Sequence, residues 1–283
     1  MSKIFFISDY FSDEIIGGAE LTTDAIISKC NFPVSKVKSA NLDINHIKDN
    51  LESKWIFGNF TQVNTKILIQ MIKLNLDYEV IEYDFKFCEM RSPQKHIYFH
   101  HKCNCNKNFH GKLISLFFAK AKRVWFMSEL QRAVYVNNFP FLKKQDTRIL
   151  SSVFCDKILK QIESIKYDKN NKYIILKSRS WIKNTAGCVK YAQKNNLDYE
   201  LVSGLSHKEL LKKLGFSKGL IFLPVGGDTC PRITIEAKLL GCDLHLNDNV
   251  LHKNEPWFKN DVKSTLKYLK QNANRFWETL NVK

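Results

Sequence analysis

No stretch of this 283-residue sequence stays apolar over the roughly 20 residues that a membrane-spanning helix requires; the longest runs, such as 113–119, are far shorter. The opening Met1-Ser-Lys-Ile-Phe-Phe-Ile-Ser-Asp9 turns polar too early for a secretory signal, so a cytoplasmic location is expected. In a reducing compartment the eight cysteines are expected as thiols or metal ligands rather than disulfides. Internal repeats and low-complexity segments are lacking. Acidic residues are scarce, 28 against 44 basic ones, and the net charge is +16. Arginine is scarce too, supplying seven of the 44 and leaving 37 lysines. An AT-rich genome's Lys/Asn/Ile usage explains that balance as well as an anionic partner does, be it nucleic acid, an acidic membrane surface or a phosphorylated acceptor. What is present in quantity is apolar: 44% hydrophobic and 12% aromatic residues exclude a disordered chain.

The length suits one large domain or two small ones. Apolar runs at 3–8, 55–57, 79–83, 96–99 and 124–127 read as strands, and helical periodicity appears at about 19–30, 62–74 and 112–122. A second series follows the polar stretch 168–172: strands at 173–176, 199–202 and 220–223, helices at 186–194, 208–214 and 233–240, the last closed by Gly241 as a C-cap. Strands alternating with helices predict an α/β protein with parallel sheets. We expect two α/β domains, 1–155 and 156–261, with a last helix at about 262–283 that packs back on the first.

Gly17-Gly18-Ala19-Glu20 follows the first strand and opens a helix. Glycines let a ligand approach the backbone, and a helix N-terminus offers free N–H groups to an anion. The pair also serves as a plain turn, and its spacing is neither the dinucleotide fingerprint nor a Walker loop. The most informative segment runs Phe222-Leu-Pro-Val-Gly-Gly-Asp-Thr-Cys-Pro-Arg-Ile-Thr-Ile-Glu-Ala-Lys-Leu-Leu-Gly-Cys242. Here a strand leads into a glycine loop carrying Asp228 and a helix carrying Glu236. Two such carboxylates can accept hydrogen bonds from the hydroxyls of a sugar nucleotide. The alternative is that Asp228 caps the helix and Glu236 lies on its solvated face.

That segment resembles the acidic-x7-Glu motif of retaining GT-B glycosyltransferases of the large family 4. Asp228, Pro231, Arg232, Glu236, Ala237 and Gly241 stand at matching spacings, with Asp228 where the family has Glu. The Ile7-Ser8-Asp9-Tyr10-Phe11 strand end with Gly17-Gly18-Ala19-Glu20 is similar to the family's N-terminal loop. The run from Ile174 to Arg179, with Lys183, is similar to its Gly-Arg…Lys segment, with Ser178 in place of Gly and a spacing one residue shorter. Val124-Trp-Phe-Met-Ser128-Glu129 matches the strand and Ser-Glu that close the family's first domain. The resemblance implies an α/β GT-B fold, two Rossmann-like domains facing across a cleft, and a donor such as a UDP- or GDP-sugar. It implies that Glu236 binds the ribose, and that Asp228 with Gly227 and Thr229 contacts sugar hydroxyls. Arg179 and Lys183, with Arg232, would neutralise the departing diphosphate, and Gly17 and Gly18 would border it. His101, or His100 beside it, would end the fourth N-terminal strand and stand by the donor sugar. Family 4 enzymes retain anomeric configuration without a catalytic metal or other cofactor, and no Asp-x-Asp motif occurs here.

Between Cys88 and His110 lie three cysteines and four histidines. Cys88, Cys103, Cys105 and His110 are the expected ligands of a structural zinc; reduced thiols beside unrelated histidines are the alternative. Lys112, Lys120, Lys122 and Arg123 flank Leu113, Leu116 and Phe117, which suits either an anionic-lipid surface or an ordinary helix with a basic outer face. The expected acceptor is a glycan or lipid-linked glycan, with the protein peripheral on the inner membrane face. A hydroxylated base in DNA, modified in a phage-infected cell, is the second possibility, and a non-catalytic binding protein on the same fold the third.

Overall fold

The computed structural model describes residues 3–165 and 168–280. Strands β1 Ile4–Ser8, β2 Val34–Lys38, β3 Lys54–Phe57, β4 Tyr78–Glu82, β5 Arg123–Phe126 and β6 Thr147–Ile149 form one parallel sheet, ordered β2-β1-β3-β4-β5-β6. A second parallel sheet, ordered β10-β9-β7-β8, comprises β7 Tyr173–Leu176, β8 Tyr199–Val202, β9 Gly219–Phe222 and β10 Asp243–Leu246. The helices of the first series are α1 Gly18–Ile27, α2 Ile44–Lys48, α3 Thr65–Leu74, α4 Pro93–His100, α5 Phe109–Lys120 and α6 Glu129–Asn138. Those of the second are α7 Asp156–Ser164, α8 Thr185–Lys194, α9 His207–Phe216, α10 Arg232–Leu239, α11 Pro256–Lys259 and α12 Val262–Leu280. The chain divides into two compact units, Met1–Val153 with Asn272–Lys283, and Phe154–Gln271. Residues 281–283 of the expected last helix lie outside the described residues.

Every residue of β1, β3, β4 and β5 is buried, as expected of parallel strands covered on both faces. Their side chains build an aromatic core in the first unit. Phe5 stacks on Trp55 at 4.5 Å, Tyr78 stacks on Phe117 at 4.5 Å, and Phe57 meets Phe117 edge-on at 5.2 Å. The Tyr78 hydroxyl donates to the Phe117 carbonyl at 2.6 Å, so burying it leaves no polar atom unpaired. In the second unit Tyr173, Ile175, Cys188, Ala192 and Ile221 form a smaller apolar core. β2, β6 and β10 escaped the sequence reading because they are sheet edges carrying Lys, Arg, Asp and His among partly buried positions.

The strand expected at 96–99 is a correction: those residues belong to helix α4. The run Ile97-Tyr98-Phe99 has strand-forming side chains, but the Ser92 hydroxyl accepts from the Lys95 amide and Pro93 occupies the first turn. Capping and a proline preset to helical φ outweigh β propensity here. His101 therefore ends no strand. It is an exposed left-handed C-cap at φ 62°, following His100 at the end of the same helix.

The last residues of α12 are held in the first unit by specific bonds. Buried Asn272 donates to the Ser151 hydroxyl at 2.7 Å and to the Leu150 and Ser152 carbonyls at 3.3 Å each. The Trp277 indole donates to the Ile26 carbonyl at 2.8 Å, and Arg123 reaches the Thr279 carbonyl at 3.3 Å. Asn272→Ala is expected to lower the urea-unfolding free energy by about 1–3 kcal/mol, since it removes a buried donor bonded to three acceptors. A change under about 0.5 kcal/mol would show that those acceptors find other partners.

Candidate functional site

In a parallel sheet, ligands collect beyond the carboxyl ends of the strands, where the strand order reverses. In the four-stranded sheet the chain leaves β7 toward β8 on one side and returns to β9 on the other, so that point lies between β7 and β9. The loop after β7 carries Arg179 and Lys183; the loop after β9 carries Gly227, Asp228 and Thr229 and opens α10. Both loops are braced from behind. Asn184, left-handed at φ 50°, caps α8 through its side-chain oxygen and donates its amide to the Leu223 carbonyl at 2.7 Å. Asn247 and Asn249 donate to the Pro224 carbonyl at 2.9 and 2.8 Å. Asp228 is pinned by its backbone, its N–H donating to Asn249 and its carbonyl accepting from Leu251 at 3.0 Å.

Two charge pairs result. The Lys183 ammonium lies 3.0 Å from Asp228, both side chains partly exposed, and rests over the Phe222 ring. Glu236, 2% exposed, is 2.8 Å from His207 and 3.8 Å from Arg232 one turn earlier on α10. Arg232 itself packs over the ring of Phe154 at 3.8 Å. Asp228 is not the cap of α10, because Pro231 holds the N-cap position. Nor does Glu236 lie on a solvated face. A nearly buried carboxylate facing a histidine and an arginine is a costly arrangement, of the kind proteins keep where a polar ligand is recognised.

Helix α10 is anchored by a neutral histidine. The Thr234 hydroxyl donates to the Pro231 carbonyl at 2.8 Å, so at 3.2 Å from His252 it accepts the Nε2 proton. Burial, with the Trp257 ring stacked at 5.5 Å and Phe258 edge-on at 4.5 Å, pushes the His252 pKa down to about 3. Nδ1 has no hydrogen-bond partner among the described residues, consistent with the Nε2-protonated tautomer.

The remaining expected residues lie as follows. Arg179 is exposed on the loop after β7, and the ion pair to Asp228 comes from Lys183. Gly17 and Gly18 belong to the first unit, as does His101. At Gly17 a Cβ would meet only the end of the flexible Glu20 side chain, which can swing away. His207 was missed altogether. Its only sequence signal is the capping box Ser206-x-x-Glu209, which starts α9 one residue before the helix read from periodicity and turns His207 inward. Cys88, Cys103 and Cys105 of the expected zinc ligands lie together, but His110 does not join them. The His110 Nε2–H donates to the Lys86 carbonyl at 2.8 Å, whereas His96 is grouped with Cys88, Cys103 and Cys105.

No family model matches the sequence, and no curated protein matches it either. Solved structures do. HepE of Anabaena, in complex with UDP and glucose, aligns with a TM-score of 0.58 at 10% identity over 99% of both chains. Trehalose-6-phosphate synthase of E. coli bound to UDP-2-fluoro glucose aligns at 0.53 and 9%, over 99% of this chain and 98% of that one. An alpha-glucosyltransferase in complex with UDP-glucose and DNA containing an abasic site aligns at 0.52 and 9%, over 98% and 91%. This chain has the GT-B fold. Two parallel Rossmann-like sheets of six and four strands are its version of that fold. Among the described residues no helix of this GT-B chain is long and apolar enough to cross a membrane.

Proposed function

We propose that this GT-B protein is a retaining glycosyltransferase that takes a sugar from a nucleotide diphosphate donor held by the second unit. The observation that carries the proposal is the pairing of Asp228 with Lys183, on the loops that follow β9 and β7, and of Glu236 on α10 with His207 at the start of α9. Carboxylates suit hydroxyl donors, and an ammonium suits a departing diphosphate. Glu236 binds the ribose, Asp228 with Gly227 and Thr229 the sugar hydroxyls, and Lys183 with Arg179 and Arg232 the phosphates. All three named neighbours were solved with UDP or a UDP-sugar, so UDP-glucose is the first donor to test.

A thermal-shift screen over UDP- and GDP-sugars tests the donor site, because a bound donor stabilises by mass action. One nucleotide sugar is expected to raise the midpoint, and NMR of the transferred sugar is expected to show the donor's anomeric configuration. An inverted product refutes retention, and no shift with any nucleotide sugar refutes the donor site. Glu236→Gln keeps shape and removes the charge; donor affinity is expected to fall about 10- to 150-fold, the equivalent of a charged hydrogen bond of about 1.5–3 kcal/mol. Wild-type affinity in that variant would remove Glu236 from the site.

The acceptor we favour is a glycan or lipid-linked glycan at an anionic membrane face. A second reading has specific support: one neighbour was solved with DNA, and this chain carries a net charge of +16. A hydroxylated base in duplex DNA would then be the acceptor. Duplex binding that weakens steeply with salt favours DNA, and binding to anionic vesicles favours the lipid-linked glycan.

A further inference from the structure

Helix α4 has no buried residue, and its apolar side chains Ile97, Tyr98 and Phe99 are 48%, 67% and 52% exposed. Eight residues are too few for a helix to stand alone in water, and here no apolar face docks it on the core. What it does bring inward is His96. The His96 Nδ1 lies 3.5 Å from the Cys88 sulfur and 3.1 Å from that of Cys105, and the Cys103 and Cys88 sulfurs are 3.7 Å apart. All four ligand atoms fall within 4.8 Å of one another. A tetrahedral zinc with Zn–S of about 2.3 Å and Zn–N of about 2.0–2.1 Å sets its ligands about 3.5–3.8 Å apart. Two of these three separations meet that spacing, and the third, at 3.1 Å, has to open by a few tenths of an ångström.

We propose that Cys88, His96, Cys103 and Cys105 form a structural zinc centre that ties α4 to the loop after β4 and to the turn before α5. The donor set is soft, three thiolates and one imidazole, as zinc prefers, and with four protein ligands it leaves no open position for chemistry. Binding releases the three thiol protons to solvent. The surroundings hold each ligand in place. Arg91, left-handed at φ 54°, bonds Asp84 and donates to Asn59 at 3.0 Å, which braces the segment on either side of Cys88. Gly111 lies so close to the Cys105 turn that a Cβ would meet the Cys105 carbonyl at 1.9 Å. His110, on the first turn of α5, is held at the Lys86 carbonyl and only frames the centre.

The test is elemental analysis of the full chain, produced untagged in zinc-supplemented medium, with thermal midpoints read before and after chelation. We expect about one zinc per chain, a midpoint that drops on chelation, and recovery when zinc alone is returned. Cobalt in its place is expected to show the thiolate charge-transfer band and tetrahedral ligand-field absorption. His96→Ala and the half-buried Cys103→Ser are expected to lose more than the roughly 10- to 100-fold in affinity that an outer-shell partner costs; His110→Ala is expected to bind as wild type. A zinc-free chain whose midpoint ignores chelator and zinc overturns the proposal. So does zinc retained by His96→Ala but lost by His110→Ala, or a non-reducing mass spectrum showing Cys88 and Cys103 joined as a disulfide. None of these outcomes touches the sugar-nucleotide reading, which uses residues of the other unit.

Discussion

Lys183→Ala is expected to lower kcat/KM for the nucleotide sugar about 10²- to 10³-fold, or about 3–4 kcal/mol, while leaving the fold intact. Without donor, the Lys183 ammonium is held 3.0 Å from Asp228 and over Phe222, so its flexible stem is already oriented before a diphosphate arrives. Charge that develops on the leaving diphosphate would meet a cation whose placement needs no further ordering, and this is where electrostatic catalysis draws its largest effect. The pair itself contributes little to stability, because both side chains remain partly exposed and water screens them. The thermal midpoint of the apoprotein should therefore move by no more than a degree or two. Lys183→Arg, which keeps the charge with a different reach, should recover part of the loss. Turnover within threefold of wild type in Lys183→Ala would assign the leaving-group role elsewhere, with Arg179 the next residue to substitute.

Acid is expected to destabilise the second unit through His252. In the unfolded chain a histidine takes up its proton as pH falls through about 6.5, whereas the folded His252 stays neutral down to about 3. Between those values the unfolded state binds more protons, so stability falls by about 1.4 kcal/mol for each pH unit lost; above 6.5 the residue contributes no slope. Burial alone causes the shift. Unfolding free energies at pH 6.5 and pH 5 separate this effect from the carboxylates when wild type is compared with His252→Phe. The variant gives up the Thr234 bond and is weaker at both values, but the wild type should lose about 2 kcal/mol more over that interval. Parallel slopes would mean that His252 charges in the folded state.

Local signals carried much of the architecture. Continuous apolar runs identify β1, β3, β4, β5, β7 and β9, because a parallel strand covered on both faces needs no alternation. Gly241, left-handed at φ 66°, closes α10 as its position after the last periodic residue predicts. The loop and helix carrying Asp228 and Glu236 were readable for the same reason: strand end, glycine loop and helix follow one another within a single stretch of chain. Where local signals compete, the reading fails. Ile97-Tyr98-Phe99 has the composition of a strand, and the helix it forms depends on the cap and proline before it.

The sequence by itself determined the alternation of buried strands and helices, the charge balance, and the acidic loop placed eight residues before a glutamate. Only the tertiary structure decided which histidine faces Glu236, which one joins the thiols, and that Lys183 rather than Arg179 meets Asp228. The reason is separation along the chain. His207 and Glu236 are 29 residues apart, and Lys183 and Asp228 are 45 apart, so neither pairing leaves a periodic trace. Each exists because the strand order of the second unit brings together segments far apart in the chain, and order is set by packing many side chains at once.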